Sequence, residues 1–273
     1  MPVKLVGIDV DGTLVGASGD IHPRVWEASE RARAGGIRLA LCSGRPAFAL
    51  ALEYARRLDP EGWHAFQNGA SIVHLPTGES RSVTLPAAAI QSFIAEARAT
   101  GHILELYNDK EWVTESTAAW ARQHAELLGV QFAPRPFESL DGSAVRAQWL
   151  LTLAEAKHIM SRSHPGLEAA QSTSPLMPGT QFVGFTREGV SKASAMRTIA
   201  AEYGISMREV MYIGDSGNDV SALRVVGYPV AMADADPAVI AAAKTTVGHP
   251  DEGGVAQALD IAIATAAESC QSG

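Results

Sequence analysis

The chain has 273 residues, 47% of them hydrophobic and 19% charged, with a formal net charge of −8. That length suggests roughly two domains with full-sized cores, and the acidic balance, without any Lys/Arg-rich run, excludes an extended nucleic-acid surface. Cys42 and Cys270 lie far apart without disulfide or metal spacing, no apolar run is long enough to span a bilayer, and the N-terminus lacks a signal-peptide pattern. A cytoplasmic protein is expected.

The first element carries the most information. An apolar run at 3–9 reads as a buried strand and ends in Asp9-Val10-Asp11-Gly12-Thr13. Burying carboxylates beside a strand costs several kcal/mol unless cations or hydrogen bonds compensate. The pattern then predicts a helix from His22-Pro23 to Gly35-Gly36, a strand at 37–42, a helix from Pro46 to Leu58 and short strands at 64–67 and 71–75. Such alternation implies a parallel sheet covered on both faces. From Leu85-Pro86 the pattern changes: helix 86–100, strands 103–107 and 111–114, helix 116–128, strand 145–153, helix 154–163 and strand 180–186. Short turns such as Asn108-Asp109-Lys110 point to antiparallel pairing and a separate α+β unit. After Gly189 the alternation resumes with helix 191–204, strand 209–213, helix 216–226, strand 228–231, helix 237–243, strand 244–247 and helix 254–267.

Each polar motif has an ordinary alternative when taken singly. Asp-Gly is a common hairpin turn, Ser43-Gly44-Arg45 an ordinary strand-to-helix cap, and Asn68-Gly69 a turn with glycine at positive φ. Cys42, after an apolar run, reads as a small core residue. Lys192 stands at a helix start, where the macrodipole disfavours cations, which suggests nearby negative charge. Asp215 and Asp219 repeat the first theme, carboxylates at the end of the apolar strand Val210–Ile213. Taken together these motifs all fall at the carboxyl edge of a parallel sheet, where open α/β folds bind ligands.

In order, Asp9-Val-Asp11-Gly-Thr-Leu, Ser43-Gly-Arg, Asn68-Gly-Ala, Gly189-Val-Ser-Lys192 and Gly214-Asp215-Ser-Gly-Asn218-Asp219 resemble the haloacid dehalogenase (HAD) superfamily. The branch they resemble is the Cof-type subfamily IIB phosphatases with a C2B cap. The resemblance implies an α/β fold, with a Rossmann-like parallel-sheet core at 1–83 and 187–273 and an inserted α+β cap at 84–186. It also implies Asp9 as nucleophile and Asp11 as general acid and base. Mg²⁺ would be held by the Asp9 carboxylate, the Asp11 backbone carbonyl and Asp215, with Asp219 behind them. Ser43 and Lys192 would grip phosphate, with Gly44, Arg45, Asn68 and Asn218 around it. The implied reaction is hydrolysis of a small phosphorylated metabolite, a sugar phosphate above all, by a monomer or homodimer without nucleic-acid or membrane partners. A phosphomutase of phosphomannomutase type and a non-catalytic sugar-phosphate sensor are the alternatives. The chain departs from the branch at Lys192-Ala-Ser, Met232-Ala-Asp-Ala and Val183-Gly-Phe-Thr, none of which removes a catalytic group. In the inserted segment Tyr107, Trp112, Trp120, Trp149, Arg146, His102, His124, His158 and His164 read as core or surface residues, and none is nominated for specificity.

Overall fold

Four consecutive buried residues, Leu5–Ile8, make strand β1, which the apolar N-terminal run demands because both faces of a parallel sheet are covered. The structure is a computed structural model that describes residues 1–173 and 177–271, with side chains up to residue 266, so Cys270 lies outside the described side chains. The chain divides into two compact units, one of residues 1–45, 51–81 and 191–273, the other of residues 46–50 and 82–190.

In the first unit, β1 leads to helix α1 (Pro23–Ala34) and strand β2 (Arg38–Leu41); helix α2 (Ala49–Leu58) follows, with its residues from 51 onward in this unit. Helix α1 begins with proline at its first turn and stops before Gly35-Gly36, as the punctuation predicts. Helix α2 starts later than Pro46, because Ala49 takes a left-handed φ of 50°. Strands β3 (Trp63–Phe66) and β4 (Ser71–His74) form an antiparallel pair of their own.

The second unit comprises helix α3 (Ala87–Thr100), strands β5 (Ile103–Tyr107) and β6 (Trp112–Val113), helix α4 (Ala119–Leu128), strand β7 (Arg146–Leu151), helix α5 (Leu153–Ser161), and strands β8 (Leu167–Thr173) and β9 (Gln181–Arg187). Its strands pair antiparallel in the order β6-β5-β7-β9-β8. Phe93, Leu104, Leu106, Trp149, Val183 and Phe185 belong to its main core, with Trp149 edge-on to Phe93 at 5.9 Å between centroids. Strand β8 is absent from the sequence reading. Its Leu-Glu-Ala-Ala-Gln-Ser-Thr has no apolar alternation, and seven register pairs with β9 supply what propensity does not. Buried Glu105 accepts hydrogen bonds from the Tyr107 hydroxyl at 2.5 Å and Gln148 Nε2 at 3.2 Å, and pairs with His124 Nδ1 at 2.9 Å. Tyr107, Trp149 and His124 are therefore interior residues.

The first unit resumes with helix α6 (Lys192–Glu202), strand β10 (Val210–Gly214), helix α7 (Val220–Leu223), strand β11 (Tyr228–Ala231), helix α8 (Pro237–Ala242), strand β12 (Thr245–Thr246) and helix α9 (Gly254–Gln271). The helix expected at 216–226 is a 3₁₀ turn at Gly217–Asp219 followed by the single turn of α7. The main sheet is parallel with order β12-β11-β10-β1-β2, Leu5 lying opposite both Val210 and Arg38. From β1 the chain runs to β2 on one side, while β10 lies on the other. The crevice between β1 and β10 is thus the topological switch point. Among the described residues, no helix is long and apolar enough to cross a membrane.

Candidate active site

Both strands flanking the switch point end in carboxylates: Asp9 follows β1 and Asp215 follows β10. Their backbones are tied together, since Asp9 N–H donates to the Ile213 carbonyl at 3.1 Å. The chain then turns tightly at Gly12, whose φ of +83° suits glycine. A Cβ on Gly12 would lie 2.2 Å from Asp215 Oδ2, so only a bare backbone lets the first loop approach that carboxylate. Thr13, next in the turn, donates its hydroxyl to Asp215 Oδ1 at 2.7 Å.

Lys192 is the first residue of α6, and Ser191 and Ser194 cap that helix reciprocally, side chain to backbone. The lysine side chain is fully buried. Its Nζ donates to Asp9 Oδ1 and to Asp219 Oδ1, both at 2.6 Å. Burial alone would push the ammonium towards neutrality, but Asp9 and Asp219 outweigh it and hold Lys192 above its ordinary range. The cation disfavoured by the helix dipole is therefore held by two carboxylates.

Asp219 is wholly buried and saturated. Its Oδ1 takes Lys192 Nζ and the Tyr212 hydroxyl, each at 2.6 Å, and its Oδ2 takes the amides of Asp215 and Ser216, each at 3.1 Å. Gly214 makes this possible, since a Cβ there would lie 2.5 Å from the Asp219 carboxyl carbon. Tyr212 is a residue that the sequence reading missed. The available signal was a phenol inside a buried strand, which must find a partner.

Ser43 is buried after β2, its Oγ accepting from the Arg45 amide at 3.0 Å. Arg45 is turned to Asp11: Nε donates to Oδ2 at 3.0 Å and Nη2 to Oδ1 at 2.5 Å. Asn68 adopts a left-handed conformation, φ 56°, before Gly69 at φ +99°, as the turn reading expects for the glycine. Its Oδ1 accepts from Asn218 Nδ2 at 3.0 Å, and Gly44 lies beside it, a Cβ there reaching 3.3 Å from the same oxygen. The predicted residues thus gather in three adjoining groups: Asp9–Lys192–Asp219–Asp215, Asp11–Arg45 with Ser43, and Asn68–Asn218 with Gly44. Cys42 is a buried neighbour whose thiol is pushed up to about 12 by burial, which suits a core residue and not a nucleophile.

Asp9, Asp215 and Asp219 can each offer an oxygen within 4.8 Å of the others. Three carboxylates gather around one buried ammonium, and the deficit shows in the protonation of Asp9 and Asp215. Burial, and then Asp219, push Asp9 well above the usual carboxylate range despite Lys192. Burial, with Asp219, pushes Asp215 up to about 6. An all-oxygen set short of positive charge suits a hard divalent cation such as Mg²⁺. Because Asp219 has its lone pairs filled, Asp9 and Asp215 are the two of these carboxylates that could hold such a cation.

The chain that folds into this sheet matches the family model of haloacid dehalogenase-like hydrolases over residues 6–259 and belongs to that family. Similar proteins extend along almost its whole length. The HAD subclass IIB sugar phosphatase BT4131 superposes with a TM-score of 0.78 at 26% identity, covering 94% of this chain and 98% of that one. The pyridoxal phosphate phosphatase YbhA of Escherichia coli is 28% identical over 277 residues, 94% of this chain and 97% of its own. The 5-amino-6-(5-phospho-D-ribitylamino)uracil phosphatase YbjI of the same organism is 25% identical over 274 residues, 95% of this chain and 96% of its own. Within the family, the chain is a phosphatase of subclass IIB.

Proposed function

We propose that the protein is a cytoplasmic, Mg²⁺-dependent phosphatase that hydrolyses a small phosphomonoester, a sugar phosphate first among them, through an aspartyl-phosphate on Asp9. The observation that carries this reading is the buried Lys192 ammonium, 2.6 Å from both Asp9 and Asp219, at the switch point of the sheet. Lys192 offsets the repulsion between the Asp9 carboxylate and an incoming phosphate dianion, the main obstacle to this attack. Asp9 forms a bond to phosphorus as the ester P–O bond breaks, and Asp11 gives its proton to the departing alcohol. Asp11 then takes a proton from water as that water attacks phosphorus, releasing phosphate and restoring Asp9. Ser43 accepts from the Arg45 amide, so its hydroxyl proton is available to a phosphoryl oxygen. The Gly44 amide, Arg45, Asn68 and Asn218 complete the cradle. Asp9, Asp215 and the Asp11 carbonyl are the groups that would hold Mg²⁺, which supplies positive charge against the phosphoryl oxygens when bound. Asp219 orients Lys192. The inserted segment 84–186, with its own core, is the substrate-specificity domain.

Phosphate release from a panel of phosphorylated sugars and cofactors, in Mg²⁺ and in EDTA, tests this reading. Metal-dependent release should concentrate on a few related compounds, and Asp9→Asn should lower it at least about a thousand-fold. Normal turnover by Asp9→Asn would remove the nucleophile assignment. Isomerisation of a hexose phosphate without free phosphate would make the protein a mutase.

A further inference from the structure

We propose that Arg45 is a positioning residue that parks the Asp11 side chain, and that an arriving phosphoryl group frees Asp11 by taking over the guanidinium. The inference rests on the phosphatase reading above. Two parallel hydrogen bonds, Nε to Oδ2 and Nη2 to Oδ1, occupy both oxygens of Asp11. A carboxylate held in that fork cannot also exchange a proton with an ester oxygen, so the arrangement seen here is a resting one.

Both partners have anchored backbones, Asp11 through a β-bridge to Val15, and it is their side chains that differ, in exposure. The Arg45 amide donates to Ser43 Oγ at 3.0 Å and its carbonyl accepts from the Gln67 amide at 2.9 Å, which ties its backbone to the expected phosphate cradle. The Arg45 side chain is 29% exposed, whereas that of Asp11 is 60% exposed. Arginine is thus the more enclosed member of the pair, and aspartate the one with room to swing. A phosphoryl dianion offers the fork the same bidentate geometry as a carboxylate, with more charge. The displaced bond is a modest one, because the Asp11 side chain is 60% exposed and regains water on release. Exchange therefore takes little from substrate affinity while coupling release of Asp11 to occupancy of the phosphate site.

Binding of inorganic phosphate, measured by calorimetry in Mg²⁺, separates exchange from simple charge repulsion. In the wild-type background, Asp11→Ala should tighten phosphate binding by about two- to five-fold, because the anion no longer competes for Arg45. In the Arg45→Gln background, the same substitution should give no gain. Arg45→Met serves in its place if Arg45→Gln does not fold, since it likewise removes the cation for which the two anions compete. An equal gain in both backgrounds would mean repulsion alone and would overturn the proposal, as would no gain in either. Absence of phosphate binding in every variant would instead remove the phosphatase reading of the site, and this inference with it.

Discussion

Tyr212 and Lys192 donate to one and the same oxygen, Asp219 Oδ1, each at 2.6 Å. With two backbone amides on the other oxygen, Asp219 has every lone pair engaged. It serves as a fixed post for Lys192, which in turn reaches Asp9. Precise placement of a charge is worth most where water is excluded, and all four side chains here are buried.

Tyr212→Phe should therefore act on chemistry more than on binding. The variant keeps the ring and removes one hydrogen bond to a buried carboxylate, a loss of about 2 kcal/mol in stability. We expect kcat to fall by about three- to ten-fold with KM little changed, because Asp219 and Lys192 gain freedom that matters as charge develops. Steady-state kinetics alongside thermal melting decide it. A rise in KM at constant kcat would place Tyr212 with the substrate-binding groups instead.

The charge deficit gives a second expectation, of opposite sign for stability and activity. Burial and the neighbouring Asp219 raise the Asp9 carboxyl well above its ordinary range. The folded protein therefore holds that proton more tightly than the unfolded chain, and stability is lost as pH rises through the folded value. Metal-free Asp9→Asn escapes this penalty. At pH 8 in EDTA it should melt about 3 °C or more above the wild type, although inactive, with the gap shrinking at acid pH and in Mg²⁺. A lower melting temperature for the variant in EDTA would show that the Lys192 pair outweighs the repulsion.

Much of this site was legible in the chain because strand-end position and residue type coincide there. Asp9 and Asp215 each close an apolar run, so a parallel sheet brings them to one edge whatever the details of packing. Lys192 was legible through a conflict, a cation against a helix dipole, and its two carboxylate partners resolve that conflict. Features set by tertiary contact were not legible. Strand β8 has no pattern of its own and exists through its register with β9. The Arg45–Asp11 fork joins residues 34 positions apart, and neither residue type dictates the other. Tyr212 and His64 looked like ordinary members of apolar strands, because hydrophobic patterning does not register where a polar tip will go.

His64 provides a pH test that is separate from the carboxylate cluster. It lies in β3, fully buried, with Nδ1 accepting from the Leu41 amide at 3.0 Å and Nε2 2.8 Å from the Asp59 carbonyl. That arrangement requires the neutral ring, with its proton on Nε2, and a second proton on Nδ1 would break the bond to β2. Burial accordingly lowers its pKa to about 4, against an ordinary value of 6.5. The unfolded chain takes up this proton before the folded one does. The contribution is thus fully present above pH 6.5 and is lost as pH falls towards 4, about 3 kcal/mol over the whole window. His64→Gln, which retains a donor for Asp59, should be less stable than wild type at pH 7.5. Its loss of stability between pH 6.5 and 4.5 should also be smaller than that of wild type. Urea unfolding in Mg²⁺ at a series of pH values measures both. Equal pH slopes in the two proteins would mean that the acid sensitivity lies elsewhere, and that protonated His64 finds a new partner inside the fold.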